Sequence, residues 1–170
     1  MMRLLGIMMI TAASTAMGLA YIRIDTEHIK ALRSMLQLLK DVRGELDARL
    51  TPLPELFFAL KSRSTGAAAD FAALLSAGFL YLGQQDFFQL WTRSVKKSLS
   101  MLAAEEQEAI VELGRSLGRY ELERQLAELD GCISRLEGSL ARCSAALPEK
   151  RRLGMGLAWA CGAMLLIVLI

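Results

Sequence analysis

Two stretches without a charge, one at each end of the chain, constrain the fold more than any other feature. Residues 4–22 read LLGIMMITAASTAMGLAYI and residues 153–170 read LGMGLAWACGAMLLIVLI. A membrane-spanning helix needs about 20 mostly apolar residues, so both qualify, the second only just. They lift the hydrophobic content to 54%, above the ~45–50% of ordinary domains. If both cross one bilayer, the helices leaving them must stand side by side and antiparallel.

A secretory signal is the alternative for the first stretch, since MMR is a short basic start and TAASTA offers small residues. The apolar run is longer than the ~7–15 residues of a signal core, and the helical pattern continues past it. The reading taken is therefore a retained anchor. Lys and Arg near the spans set orientation. Only Arg3 lies outside the pair. Arg23, Lys30, Arg33, Lys40, Arg135, Arg142, Lys150, Arg151 and Arg152 flank it on the inside. The division expected is a transmembrane helix at 1–22, a cytoplasmic helical bundle at 23–152, and a second transmembrane helix at 153–170. The chain is then a two-pass protein of the cell membrane with its middle in the cytoplasm.

Between the spans the periodicity is helical throughout, and no sustained period-two alternation argues for strands. Ile29, Leu32, Leu36, Leu39, Leu46 and Leu50 recur at spacings of three and four, with Arg43 filling one gap and Met35, Leu38 and Val42 broadening the stripe. TPLPEL at 51–56 breaks this helix, because a proline disfavours helix at the residue before it, and Pro54 suits the first turn of the next. Further helices are expected at about 54–63, 67–80, 84–99 and 103–117, with SRSTG (62–66) as a turn. In the fourth, Phe87, Phe88, Leu90, Trp91 and Val95 are expected to point inward. The sixth has the most regular pattern. Leu122, Leu126, Leu129, Ile133, Leu136, Leu140, Cys143 and Leu147 are spaced 4, 3, 4, 3, 4, 3, 4, a coiled-coil seam. Pro148 is expected to end or bend that helix. All six phenylalanines lie between residues 57 and 88, so the middle helices should hold a compact core. The fold class expected is all-α: a six-helix bundle flanked by two spans.

Nothing in the sequence supports catalysis. The single histidine, His28, has no partner in sequence that would orient it as a general base, and is read as a surface or interface residue. No GxxxxGK[ST] offers a phosphate loop, and no HExxH or paired cysteines suggest zinc. No catalytic, cofactor-binding or metal-binding residue is assigned. Cys132, Cys143 and Cys161 form no CxxC and read as buried free thiols. A net charge of +2 is too small to suggest nucleic acid. The run Glu105, Glu106, Glu108 and Glu112 starts a helix where the dipole favours anions, and Arg93, Lys96 and Lys97 close one where it favours cations. A partner surface is the alternative for both. In the spans, Gly154, Ala158 and Gly162, and Ala12, Ala16 and Ala20, form small-residue stripes that would let helices approach closely in lipid.

Residues 113–126 read LGRSLGRYELERQL. Gly114 and Gly118 lie one turn apart, and each costs a helix roughly 0.5–1 kcal/mol relative to alanine. Gly114 is expected to allow close approach of a neighbouring helix, with alanine there neutral or mildly harmful. Gly118 is expected to end the helix in a left-handed cap.

The order of these segments resembles the stage III sporulation protein AB family of endospore-forming bacteria. The similarity covers nearly the whole length. It rests on the N-terminal span running into a helix, on Thr51, Pro52 and Leu53, and on Leu113, Gly114, Leu117, Gly118 and Gln125. The long final helix and the basic residues before the last span complete it. Tyr120 and Glu121 stand where the family usually offers a short polar residue and an aspartate, which weakens a serine-type cap on the sixth helix. The resemblance implies a role in the mother cell during sporulation, in the complex joining mother cell to forespore. It also implies a soluble part similar to cytoplasmic domains of the inner-membrane platform proteins of type II secretion and type IV pilus systems. The partners it implies are a cytoplasmic ATPase, stage III sporulation protein AA, and other membrane components of the complex. The function expected is a non-enzymatic platform that docks this ATPase; the alternative is a purely structural membrane anchor.

Overall fold

The computed structural model describes the backbone of residues 2–49, 51–80, 86–117 and 121–169, and the side chains of 25–48, 51–80, 86–117 and 121–147. It is all-helical: α1 (Met2–Arg49), α2 (Leu53–Arg63), α3 (Ala67–Phe79), α4 (Phe87–Ser98), α5 (Ala104–Ser116) and α6 (Leu122–Leu169). There is no strand among the described residues. The chain divides into two compact units, His28–Ala141, and Met1–Glu27 with Arg142–Ile170. Among the described residues no helix is long and apolar enough to cross a membrane. The side chains of the two runs expected to do so lie outside those residues.

Two differences from the expected boundaries have physical causes. Of the two outcomes expected at Pro148, an end or a bend, the end does not occur: α6 runs on to Leu169. An interior proline removes one ladder bond and crowds the carbonyl four residues back, a cost of about 3 kcal/mol, which a helix of 48 residues absorbs. α4 starts at Phe87, after Asp86 at the N-cap position, and not near residue 84. Asp86 is extended, and its backbone carbonyl accepts the Leu90 N–H at 3.1 Å to open the helix, with no cap from its side chain.

The breaks elsewhere follow local chemistry. Pro52 takes the N-cap of α2 with φ −58° and ψ 138°, and its carbonyl accepts the Leu56 N–H at 3.0 Å. Proline needs no N–H partner there, and Pro54 falls in the first turn for the same reason. Ser64 closes α2, its N–H and its Oγ both donating to the Leu60 carbonyl at 2.9 and 2.8 Å. Gly66 then enters α3 at φ +60°, a left-handed conformation that L side chains avoid.

The core of the larger unit joins all six helices. α1 supplies Leu32, Met35, Leu36, Leu38, Leu39, Val42 and Leu46, and α6 supplies Leu129, Ile133 and Leu136, all buried. Leu122, Leu126 and Leu140 are partly buried against them. The middle helices contribute an aromatic cluster. Phe71 meets Trp91 edge-on at 5.0 Å between centroids, Phe57 meets both, and Phe79 stacks on Phe87 at 6.1 Å. Such pairs are worth about 0.5–1.5 kcal/mol each beyond area burial. Phe58 is the outlier at 73% exposed, on the face of α2 opposite Leu56 and Leu60. Phe88, expected inward, is also outside the core: its ring is half-buried, with the Arg115 guanidinium 5.2 Å above it.

On the surface of this unit, Lys40 pairs with Glu137 at 2.7 Å and Arg43 with Asp130 at 2.6 Å. The partners descend in α6 as they ascend in α1, so the two helices run antiparallel side by side here.

Candidate functional site

Among the described residues Glu106 is the one buried charged residue, its side chain 3% exposed. It sits in the first turn of α5, three residues after the N-cap Ala103. A glutamate at that position can reach back to the N-cap N–H, one half of a capping box. It does so here: the Ala103 N–H donates to Oε2 at 2.9 Å. Alanine has no side-chain oxygen for the other half, and two other helices supply the remaining partners. His28 Nε2 of α1 lies 2.7 Å from Oε2, and Ser139 Oγ of α6 donates to Oε1 at 2.7 Å. One carboxylate thus ties the start of α5 to both long helices.

Burial alone would push the Glu106 carboxyl up. The hydrogen bonds from Ser139, His28 and the Ala103 backbone, with the attraction of His28, outweigh it and hold the carboxyl below its usual value. The group is therefore ionised and satisfied. The residue types are those of a hydrolytic triad, but the roles are not. In a triad the base accepts the proton of the nucleophile and the acid orients the base. Here the Ser139 hydroxyl points at the carboxylate, which leaves the serine unactivated. The chemistry this arrangement performs is to clasp three helices.

Gly114 marks a second clasp. Trp91 of α4 is fully buried, and its Nε1–H donates to the Ile110 carbonyl of α5 at 2.7 Å. Ile110 is the residue whose carbonyl the helix ladder offers to the Gly114 N–H. A Cβ at Gly114 would lie 2.6 Å from Nε1 and closer still to the ring carbons. The glycine is required because the indole occupies the place of its side chain. What approaches Gly114 closely is this ring of the neighbouring helix, and an alanine here would have to displace it.

The other residues singled out from sequence take the following places where the structure describes them. Thr51 is half-buried, Pro52 is exposed and Leu53 is partly buried at the start of α2. Leu113 and Leu117 are in the core. α5 ends at Ser116 with Leu117 extended (ψ 126°); Gly118, expected to cap it, lies outside the described residues. Gln125 is half-buried in the first turn of α6, its N–H on the Glu121 carbonyl at 3.1 Å. Cys132 is buried and its thiol faces the Ala109 carbonyl at 3.6 Å. Burial, partly offset by Arg135, pushes that thiol up to about 11, so it is not a reactive nucleophile. Arg93, Lys96 and Lys97 line an open hollow of about 560 Å³ on the outer face of α4.

Sequence reasoning missed the Glu106 clasp. It grouped Glu106 with exposed Glu105, Glu108 and Glu112, and read His28 as a lone residue. His28 and Ser139 are 78 and 33 residues away from Glu106, so no local pattern joins them. The one available signal was the position of Glu106 three residues into a helix.

Comparison with known proteins points to one source. The sequence pattern of the family described as stage III sporulation protein AB matches residues 3–170. The stage III sporulation protein AB of Bacillus subtilis (strain 168) is 25% identical over 173 aligned residues, covering 99% of each chain. A solved structure of a stage III sporulation protein AB (SpoIIIAB) shares the fold with a TM-score of 0.64 and 21% identity, covering 72% of this chain and 97% of the other.

Proposed function

The chain belongs to the stage III sporulation protein AB family, and from that premise we propose that it is a non-enzymatic membrane platform of the sporulation machinery that docks a cytoplasmic ATPase. The observation that carries this reading is the use made of Glu106. The most buried charged group among the described residues is spent on holding α1, α5 and α6 together, accepting from all three. A protein built this way offers partners a rigid helical surface.

In this reading, residues 4–22 and 153–170 anchor the chain in the mother cell membrane and place the bundle in the cytoplasm. The length and lack of charge of both runs support it, as does the excess of Lys and Arg on their inner flanks. The partners are an ATPase like stage III sporulation protein AA and other membrane components of the complex. The test is binding of that ATPase to the full chain in detergent micelles, with and without nucleotide. Saturable binding supports the platform. Its absence, with the other membrane components still captured from sporulating cells, assigns the chain instead to purely structural anchoring.

A further inference from the structure

α6 carries a second periodic face, directed away from the core. Ala127, Gly131, Ser134, Gly138 and Ala141 are spaced 4, 3, 4, 3, and all but half-buried Gly138 are exposed. Nothing lies within 4 Å of where a Gly131 Cβ would be. The fold of this chain does not need that glycine, although a mid-helix glycine weakens a helix relative to alanine. Small side chains alone would identify no occupant. The charges beside them do. One edge of the face carries Glu123, Asp130 and Glu137, acidic throughout, and the other carries Glu128 and Arg135.

We propose that this face is a self-association seam, packing parallel and in register against α6 of a second copy of the chain. In a parallel pair, a residue on one edge meets the residue five further along on the opposite edge of its partner. Asp130 then meets Arg135 of the second copy, twice by symmetry. Arg135 is exposed and has no carboxylate within ion-pair distance among the described residues. Asp130 and Glu137 are each about half exposed beside Arg43 and Lys40 (side chains 51% and 49%), which leaves both open to a further cation. An antiparallel pair would set the acidic edge against itself. The one unfavourable meeting in the parallel pair, Glu123 with Glu128, has one member in the first turn of α6, the part of a helix most prone to fray. The small residues allow the two helix backbones to approach closely, and Ser134 meets Ser134. None of this depends on the family assignment or on ATPase docking.

The test uses the full chain in detergent micelles, with energy transfer between differently labelled copies followed against the protein-to-detergent ratio. Transfer should rise with that ratio. Gly131→Leu should weaken association at least about tenfold without lowering the melting temperature, because the fold has open space there. Arg135→Glu should weaken it by a similar factor, more at low salt. In a chain with Cys132, Cys143 and Cys161 replaced by alanine, Ser134→Cys should cross-link on mild oxidation at least about tenfold faster than Glu105→Cys. Transfer that never depends on the ratio, that survives both Gly131→Leu and Arg135→Glu unchanged, or a Ser134→Cys cross-link no faster than the control, overturns the proposal.

Discussion

The Trp91 indole occupies the space in which Gly114 would carry a side chain, and its N–H reaches past the glycine to the Ile110 carbonyl at 2.7 Å. Gly114→Ala should therefore destabilise the bundle, by about 1–3 kcal/mol as overpacking does, and Gly114→Leu by more. Replacing Trp91 by leucine in the Gly114→Ala background should recover part of the alanine penalty, since the clashing ring is gone. Urea unfolding of the parent, of Gly114→Ala and Trp91→Leu alone, and of the double variant gives the coupling directly. An alanine variant as stable as the parent would show that the ring moves aside freely.

Glu106 sets an acid limb to stability. Its folded pKa lies below the ordinary value of 4.5. The stabilisation it gives is full above about pH 4.5 and is lost as pH falls through the folded value. Glu106→Gln keeps the shape but brings a donor where three donors already converge, at a cost of about 1–3 kcal/mol near neutral pH. The melting temperature of the variant should fall less between pH 5 and pH 3 than that of the parent. Parallel acid limbs would assign the pH dependence to other carboxylates.

Leu136 and Glu137 are neighbours with opposite surroundings: Leu136 is 1% exposed, and Glu137 is exposed beside Lys40. Leu136→Asp places an unpaired charge in the core and should cost several kcal/mol. Glu137→Asp shortens a surface ion pair and should cost under about 1 kcal/mol. Equal melting temperatures would mean that α6 does not use its leucine seam as described.

The orientation proposed for the membrane has its own test. A cysteine placed at Ser64, in the turn between α2 and α3, in a chain free of other cysteines, should resist a membrane-impermeant thiol reagent in intact cells and react after permeabilisation. Reaction in intact cells would put the bundle on the opposite side.

What could be read in the sequence was whatever a single helix records about its own surroundings. The 4, 3 spacing of Leu129, Ile133 and Leu136 reports a buried face because every turn repeats it, and two prolines in TPLPEL report a break because the backbone leaves little choice. Gly114 was legible as a close contact, but its partner was not, since Trp91 lies on another helix. Phe88 misled, because an aromatic ring can be covered by an arginine at the surface as well as by a core. Glu106, His28 and Ser139 were beyond reach for a plainer reason: each is an ordinary helix residue until the fold brings His28 and Ser139 each to 2.7 Å from the Glu106 carboxylate.

The Glu106 clasp also bears on the order of assembly during synthesis. The middle helices pack each on the next, α2 on α3, α3 on α4 and α4 on α5, and contacts so close in sequence are the quickest to form. His28 has already emerged from the ribosome when Glu106 is made, but Ser139 follows 33 residues later. Until then the nascent domain holds a carboxylate with its closing partner still missing. The α1–α5 part of the unit should accordingly exchange its amide hydrogens readily while the chain is stalled before Ser139. It should become protected in a single step once that turn of α6 is free, so that completion of the bundle is timed by translation of its last helix.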